Sequence, residues 1–202
     1  MLAGGLSRRL GRDKAVEVIG GTTVLQRVVD VVSTLSSDVL LITAPGPGER
    51  PLDTRPGLRW LSDLYPGKGS LGGIYTGLYH ASFYHSLVVA CDMPFLNLPL
   101  LRYLVEQAPG HDIVIPYIGT HQEPLHAVYS RDCLGPMRDL IEQDCLQIIR
   151  LLPLVRVRRV AEPEIDRFDP ERLCFFNINT LADLEWARRK AAALSAPVEE
   201  RP

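Results

Sequence analysis

Lysine is scarce in this chain. Of the 22 basic residues only Lys14, Lys68 and Lys190 are lysines. Two of them, Lys14 and Lys68, fall in glycine-rich stretches, where a compact ammonium suits a phosphate. Cysteine is scarce too: Cys91, Cys133, Cys145 and Cys174 lie far apart with no C-x-x-C pair. That pattern excludes a disulfide scaffold and the usual zinc or redox motifs, leaving free thiols of a cytoplasmic protein. Excess charge is missing as well, the formal net charge being −2 over 202 residues. No global field therefore favours nucleic acid, and any polyanion must be bound locally. No apolar run reaches the roughly 18 residues of a membrane span, and the N-terminus lacks the pattern of an export signal. The expectation is a soluble, unexported protein with no membrane or nucleic-acid partner. His80, His85, His111, His121 and His126 show no metal-ligand spacing, and Ser7 has no evident His partner, which argues against a serine nucleophile.

What the chain does have is concentrated in residues 2–14. Gly4, Gly5 and Gly11 remove side chains where backbone could approach a ligand closely, and Arg8, Arg9, Arg12 and Lys14 surround the same turn with positive charge. Small residues that expose N–H groups, together with cations that neutralise oxyanions, read as a polyphosphate cradle. It is not the Walker type: five residues separate Gly5 from Gly11, and Lys14 follows later. The G-x-G-x-x-G dinucleotide pattern is also absent.

Apolar runs at 39–43, 58–61, 87–91 and 113–115 read as short buried strands, while 124–129 and 155–160 alternate as half-exposed or edge strands do. Helical patterns lie between them. Thr22 or Thr23 can cap a helix to about Leu35, with Val24, Leu25, Val28, Val31, Val32 and Leu35 on one face. Others run over 71–81, 98–107, 133–152 with a break, and 181–194. The repeated strand-then-helix order predicts an α/β fold: a three-layer α/β/α sandwich on a mostly parallel, doubly wound, Rossmann-like sheet. The length suits a single domain over 1–195, with 45–51 as a connecting loop and 196–202 as a frayed tail. One feature conflicts with usual strand lengths. Only Met1 and Leu2 precede Ala3, where three to five more apolar residues are expected, so either the start lies upstream or the first strand is truncated.

In such a sheet ligands sit beyond the carboxyl ends of the strands. Asp92 lies there, where a buried strand meets the Pro94 turn, and a carboxylate so placed suits Mg²⁺ held jointly with substrate phosphates. The alternative, an N-cap for 98–107, is better served by Asn97. The run from Asp63 to Gly73 is a second loop-to-helix junction: Asp63 offers an acceptor for paired donors such as a base edge, and its glycines, Gly72 and Gly73 included, let backbone pack against a flat ring or phosphate. In 175–180, Thr180 and Asp183 form an approximate capping box. That leaves Asn177 and Asn179 on one face of an extended segment, two amides suited to a polar heterocycle or phosphate. A cradle with a strand-end Asp favours metal-assisted attack at phosphorus, for which no protein base is needed when the attacking group is a phosphate monoester.

At these residues the chain resembles the molybdenum cofactor guanylyltransferases of the nucleotidyltransferase family. The opening pattern L-A-G-G-x-S-x-R-M-G-x-D-K is matched by Leu2, Ala3, Gly4, Gly5, Ser7, Arg9, Gly11, Asp13 and Lys14, with Leu10 in place of Met. The stretches 63–73, 91–94, 124–129 and 176–180 resemble the later motifs. The resemblance implies GTP and a molybdopterin-type cofactor as substrates, with Mg²⁺, giving the guanine dinucleotide and pyrophosphate. Transient contact with recipient molybdoenzymes or their chaperones is implied too. Carried across, Leu2, Ala3, Gly4, Gly5 and Asp63 contact the guanosine, together with Gly72 and Gly73 of the second loop. Arg9 and Lys14 meet the phosphates, Asp92 holds the metal, and Asn177 and Asn179 lie on the pterin side. Gly4 and 71–73 favour guanine over cytosine, while Ser70 stands where the family commonly has Pro. A CTP-using or sugar-phosphate relative, or a non-catalytic delivery protein, remains the alternative.

Overall fold

The structure, a computed structural model, describes residues 1–3, 14–45 and 57–195. The expected loop at 45–51, apart from its first residue, and the expected tail at 196–202 lie outside the described residues. In chain order the strands are β1 (Val18–Ile19), β2 (Thr22–Thr23), β3 (Val39–Thr43), β4 (Leu58–Ser62), β5 (His85–Val89), β6 (Ile113–Ile118), β7 (His121–Gln122), β8 (His126–Ser130) and β9 (Val157–Val160). The helices are α1 (Val24–Ser33), α2 (Gly69–His80), α3 (Leu98–Glu106), α4 (Leu134–Glu142), α5 (Glu162–Ile165) and α6 (Leu181–Ser195).

Residues 1–3 hold the sheet together. β3 pairs in parallel with β4, and Leu2 bridges in parallel to Ile42 on one side and Ala90 on the other. Backbone bonds close both seams: Leu2 N–H donates to Val89 O at 3.0 Å and Ala3 N–H to Ile42 O at 2.9 Å. Beyond β5 lie β8, β6 and β9, with the short β7 hairpinned onto β6. Every main strand but β8 runs the same way, so the sheet is mostly parallel as expected. A segment of three residues suffices as a strand because it is paired along both edges.

The sequence pattern at 124–129 predicts a half-exposed or edge strand. In the structure β8 is buried along its whole length and sits in the sheet interior, antiparallel to both β5 and β6. Alternation misleads here because the polar members, His126 and Ser130, face protein and not water. The second candidate edge strand does lie at an edge: β9 pairs only with β6 among the described strands, and Arg158 and Arg159 give that edge a charge that discourages further pairing.

Helices cover both faces. Leu71, Ile74 and Leu78 of α2 pack with Met137 and Ile141 of α4 over Ile113, Ile115 and Tyr129. Val28 and Val32 of α1 join Leu100, Leu101 and Leu104 of α3 over Val89, Val114 and Val128 on the other face. The caps follow the sequence signals. Thr23 accepts from Gln26 N–H at 3.1 Å, and Asn97 accepts from Leu100 N–H at 2.9 Å, so Asn97 caps α3. Asp183 accepts from Thr180 N–H at 2.7 Å while donating its own N–H to the Thr180 hydroxyl at 3.1 Å. The helix begun at Leu134 breaks after Glu142, where Asp144 takes a left-handed φ of 57°, a conformation that Asp tolerates.

Candidate active site

The carboxyl ends of residues 1–3, β4 and β5 open on one rim. Asp92 stands there, half-buried, three residues past β5. It is held from two directions. Cys91 N–H donates to Leu2 O at 3.1 Å, and Ile178 N–H donates to Asp92 O at 3.0 Å. The first bond places Asp92 against the segment that leads into the glycine-rich stretch. The second fastens the distant 176–180 segment beside it. Ile178 points inward, fully buried with Ile19, Val24 and Leu184, so its neighbours Asn177, half-buried, and Asn179, exposed, turn the other way as the alternation predicts. The Asn177 amide donates to Phe175 O at 3.0 Å.

Asp63 follows β4 on the same rim. Its Oδ1 accepts from Tyr65 N–H at 3.0 Å and lies 2.8 Å from the Thr76 hydroxyl. The same hydroxyl accepts from Leu64 N–H at 3.0 Å and is 2.9 Å from Gly72 O. Fully buried Thr76 thus ties Asp63 to helix α2. Among the described residues, Asp63 Oδ2 takes no protein donor, so it remains available for a ligand's N–H groups. The sequence reading missed Thr76. Its signal is a threonine set among helix neighbours Leu71, Ile74, Tyr75 and Leu78 that are all buried.

The two glycines expected in this loop lie in helix α2. Gly72 and Gly73 are buried inside α2. A Cβ on Gly72 would meet Tyr65 O at 2.8 Å, and one on Gly73 would meet Leu2 Cδ2 at 3.0 Å. Their missing side chains admit protein close by. Gly73 lets α2 press on Leu2, and Gly72 lets the Asp63 loop close over the helix start. Lys68, just ahead of α2, is ion-paired to Asp144 at 2.8 Å. Gly4, Gly5 and Arg9 lie outside the described residues, as does the side chain of Lys14, whose backbone opens a 3-10 turn over Lys14–Val16.

His126 is the unexpected buried group. Both ring nitrogens lack a hydrogen-bond partner, and the imidazole packs edge-on to Phe175 at 4.8 Å between ring centres. Burial pulls its pKa down to about 4, against a weaker upward pull from Asp169, so it is neutral near pH 7. It is a packed core histidine. Among the described residues no group of three or more His, Cys, Asp or Glu side chains converges on a cation position.

A mostly parallel α/β sheet with carboxylates at two strand ends, and a glycine- and arginine-rich segment following a third, defines a nucleotide-handling transferase fold. The chain belongs to the MobA-like NTP transferase domain family, whose pattern matches residues 1–157. It is 40% identical over 188 residues to a protein of Pelotomaculum thermopropionicum named "Probable molybdenum cofactor guanylyltransferase", covering 93% of this chain and 90% of that one. It is 35% identical over 193 residues to the molybdenum cofactor guanylyltransferase of Desulfosudis oleivorans, covering 93% and 92%. Among solved structures, molybdopterin-guanine dinucleotide biosynthesis protein A of Archaeoglobus fulgidus superposes with a TM-score of 0.82 at 29% identity, over 95% of this chain and 96% of that one.

Proposed function

We propose that this chain transfers GMP from GTP to the terminal phosphate of a molybdopterin-type cofactor, releasing pyrophosphate. The observation that carries the reading is the double seam at Leu2: the segment entering the phosphate-cradle sequence and the strand ending in Asp92 are hydrogen-bonded neighbours. The glycine-rich sequence thus begins two residues after Leu2, whose neighbour across the seam is the strand that leads to Asp92. The names of the similar proteins point to the same substrates.

A phosphate oxygen of the acceptor attacks the α-phosphorus of GTP. The new O–P bond forms as the bond from the α-phosphorus to the α,β-bridging oxygen breaks, and the electron pair leaves with pyrophosphate. The attacking monoester has its second pKa at about 6 and is mostly dianionic at neutral pH, so no protein base is required. The chain's work is positioning and charge neutralisation. Asp63 Oδ2 accepts from the paired N–H groups of guanine, with Thr76 fixing its rotamer. Lys14 and Arg9 neutralise the polyphosphate. Asp92 would hold Mg²⁺, which when bound supplies charge neutralisation and a template for the phosphates. Asn177 and Asn179 flank the acceptor side. The protein works as a soluble enzyme in the cytoplasm and passes its product to recipient molybdoenzymes or their chaperones; no helix among the described residues is long and apolar enough to cross a membrane.

Incubation with GTP, Mg²⁺ and molybdopterin, followed by mass detection of the dinucleotide, tests the reading. Formation of the guanine dinucleotide with stoichiometric pyrophosphate is expected. Product from CTP in preference to GTP, or nucleotide binding with no pyrophosphate, overturns it.

A further inference from the structure

Arg27, in the first turn of α1, reaches two backbone oxygens that belong to different segments. Its Nη1 donates to Ile19 O at 3.2 Å and its Nε to Pro94 O at 3.3 Å, the latter across 67 positions of sequence. Ile19 ends β1, five residues past Lys14, and Pro94 lies two residues past Asp92. A guanidinium carries its donors in one rigid plane, so two carbonyls bound to it hold a fixed separation.

The surroundings are shaped for this side chain. Gly20 and Gly21 join β1 to β2 with φ of 56° and 84°, as a tight two-residue hairpin turn requires. A Cβ on Gly20 would stand 3.3 Å from Arg27 Nη1, so the guanidinium lies close against the turn. Ala15 packs with Leu25, Val29 and Leu41, and Ile19 packs with Val24 and Ile178. The stretch from Lys14 to Ile19 thus has a buried residue near each end, and a displacement at Ile19 carries to the Lys14 backbone. Beside Arg27 a cleft of about 430 Å³, lined also by Thr22, Pro94 and Asn97, opens to solvent.

The sequence on either side of the glycine- and arginine-rich stretch is therefore held to the Asp92 turn. Ahead of it, Cys91 N–H bonds Leu2 O at 3.1 Å; past it, Arg27 ties Ile19 to Pro94. Transfer at phosphorus needs its cations and carboxylate at set positions around one polyphosphate, and a misplacement of about 1 Å can cost about 10²-fold in rate. We propose that Arg27 is a positioning residue of the transfer reaction, an inference that rests on the function proposed above. It sets the distance between the backbone that carries Lys14 and the turn that carries Asp92, and it contacts neither substrate.

The test measures kcat and KM for GTP in dinucleotide formation, equilibrium GTP binding and thermal melts on the full chain. Arg27→Ala and Arg27→Lys are each expected to lower kcat by about tenfold or more, while the GTP Kd stays within about twofold and reports an intact fold. Lysine keeps the charge but cannot bridge both carbonyls. Methylguanidinium, entering the space that Arg27→Ala adds to the cleft, is expected to restore kcat several-fold, and ammonium at equal concentration is not. Arg188 bonds Val18 O at 3.0 Å and pairs with Glu17 at 3.1 Å, anchoring the same hairpin to α6. Arg188→Ala is expected to lower the melting temperature and leave kcat within about twofold. If Arg27→Ala does not fold, Arg27→Lys decides alone. Wild-type kcat in Arg27→Lys, GTP binding lost in step with kcat, or an equal fall in kcat in Arg188→Ala overturns the positioning role, as does rescue by ammonium as strong as by methylguanidinium. In each of these cases the wild-type chain is active and the transferase reading stands. A wild-type chain that forms no dinucleotide overturns that reading and the role of Arg27 with it.

Discussion

Ile178 donates its backbone N–H to the carbonyl oxygen of Asp92 at 3.0 Å, across 86 positions of sequence (178 − 92). The bond uses main chain only, so it survives substitution of the Asp92 side chain.

Replacing Asp92 therefore separates chemistry from folding. Asp92→Ala is expected to lower turnover by about 10³-fold, the scale of losing one electrostatic stabiliser of phosphoryl transfer, while GTP affinity drops only in part. Pyrophosphate release and equilibrium GTP binding check this, with thermal unfolding as the control. Near-normal turnover would remove Asp92 from the mechanism.

Thr76 is expected to act through Asp63. Thr76→Val deletes the hydroxyl that Asp63 and Leu64 share, at a stability cost of about 1–2 kcal/mol. It should also raise the GTP Kd several-fold with little change in kcat. Inosine triphosphate, which lacks the exocyclic amine, should bind the wild-type chain more weakly than GTP and should show no such difference in Asp63→Ala. Equal discrimination in both proteins would show that Asp63 does not read the base.

Gly73 tests the packing of the first strand. A Cβ at that position would press on Leu2 Cδ2 at 3.0 Å, so Gly73→Ala is expected to destabilise by about 1–3 kcal/mol through overpacking. Thermal melts with and without GTP would show the loss, and Leu2→Ala in the same chain should recover part of it.

Two groups contribute to acid stability in different pH windows. His126 binds its proton at about 6.5 when unfolded and at about 4 when folded. The unfolded chain thus holds more protons between those values, and stability falls as pH drops from 6.5 to 4. His126→Leu removes that slope, and because the buried ring nitrogens have no partner it should not destabilise at pH 7. Glu164 behaves as a depressed carboxylate: burial opposes ionisation, but the Arg158 and Tyr103 hydrogen bonds bring its pKa down to about 2 from 4.5. Its contribution is present above 4.5 and is lost as pH falls toward 2, so Glu164→Gln should make that lower limb shallower and leave the 4–6.5 limb of His126 in place. Melting temperature against pH for the two variants resolves the windows. A His126→Leu melt curve parallel to wild type between pH 4 and 6.5 would refute the first.

Local signals carried most of the architecture. The Thr23 and Asn97 caps, the Thr180–Asp183 box, the break after Glu142 and the strand-end positions of Asp63 and Asp92 are all legible in the sequence, because each depends on residues within a few positions of one another. β8 reads from the sequence as half-exposed or edge yet is buried inside the sheet, because alternation of polar and apolar residues carries no mark of whether the polar ones face water or protein.

The sequence by itself determined which groups are available: a glycine- and arginine-rich segment, two carboxylates placed after strands, a pair of alternating amides, and the order of elements that builds a mostly parallel sheet. Only the tertiary structure decided what each of them meets. It gave Gly72 and Gly73 to packing against Tyr65 and Leu2, set Thr76 behind Asp63, left His126 unpartnered, paired Lys68 with Asp144, and drew Ile178 onto Asp92. The physical reason is range: caps, turns and periodicity act over one or two helical turns, whereas burial, close approach and ion pairing depend on which distant segments the folded chain brings within a few ångströms.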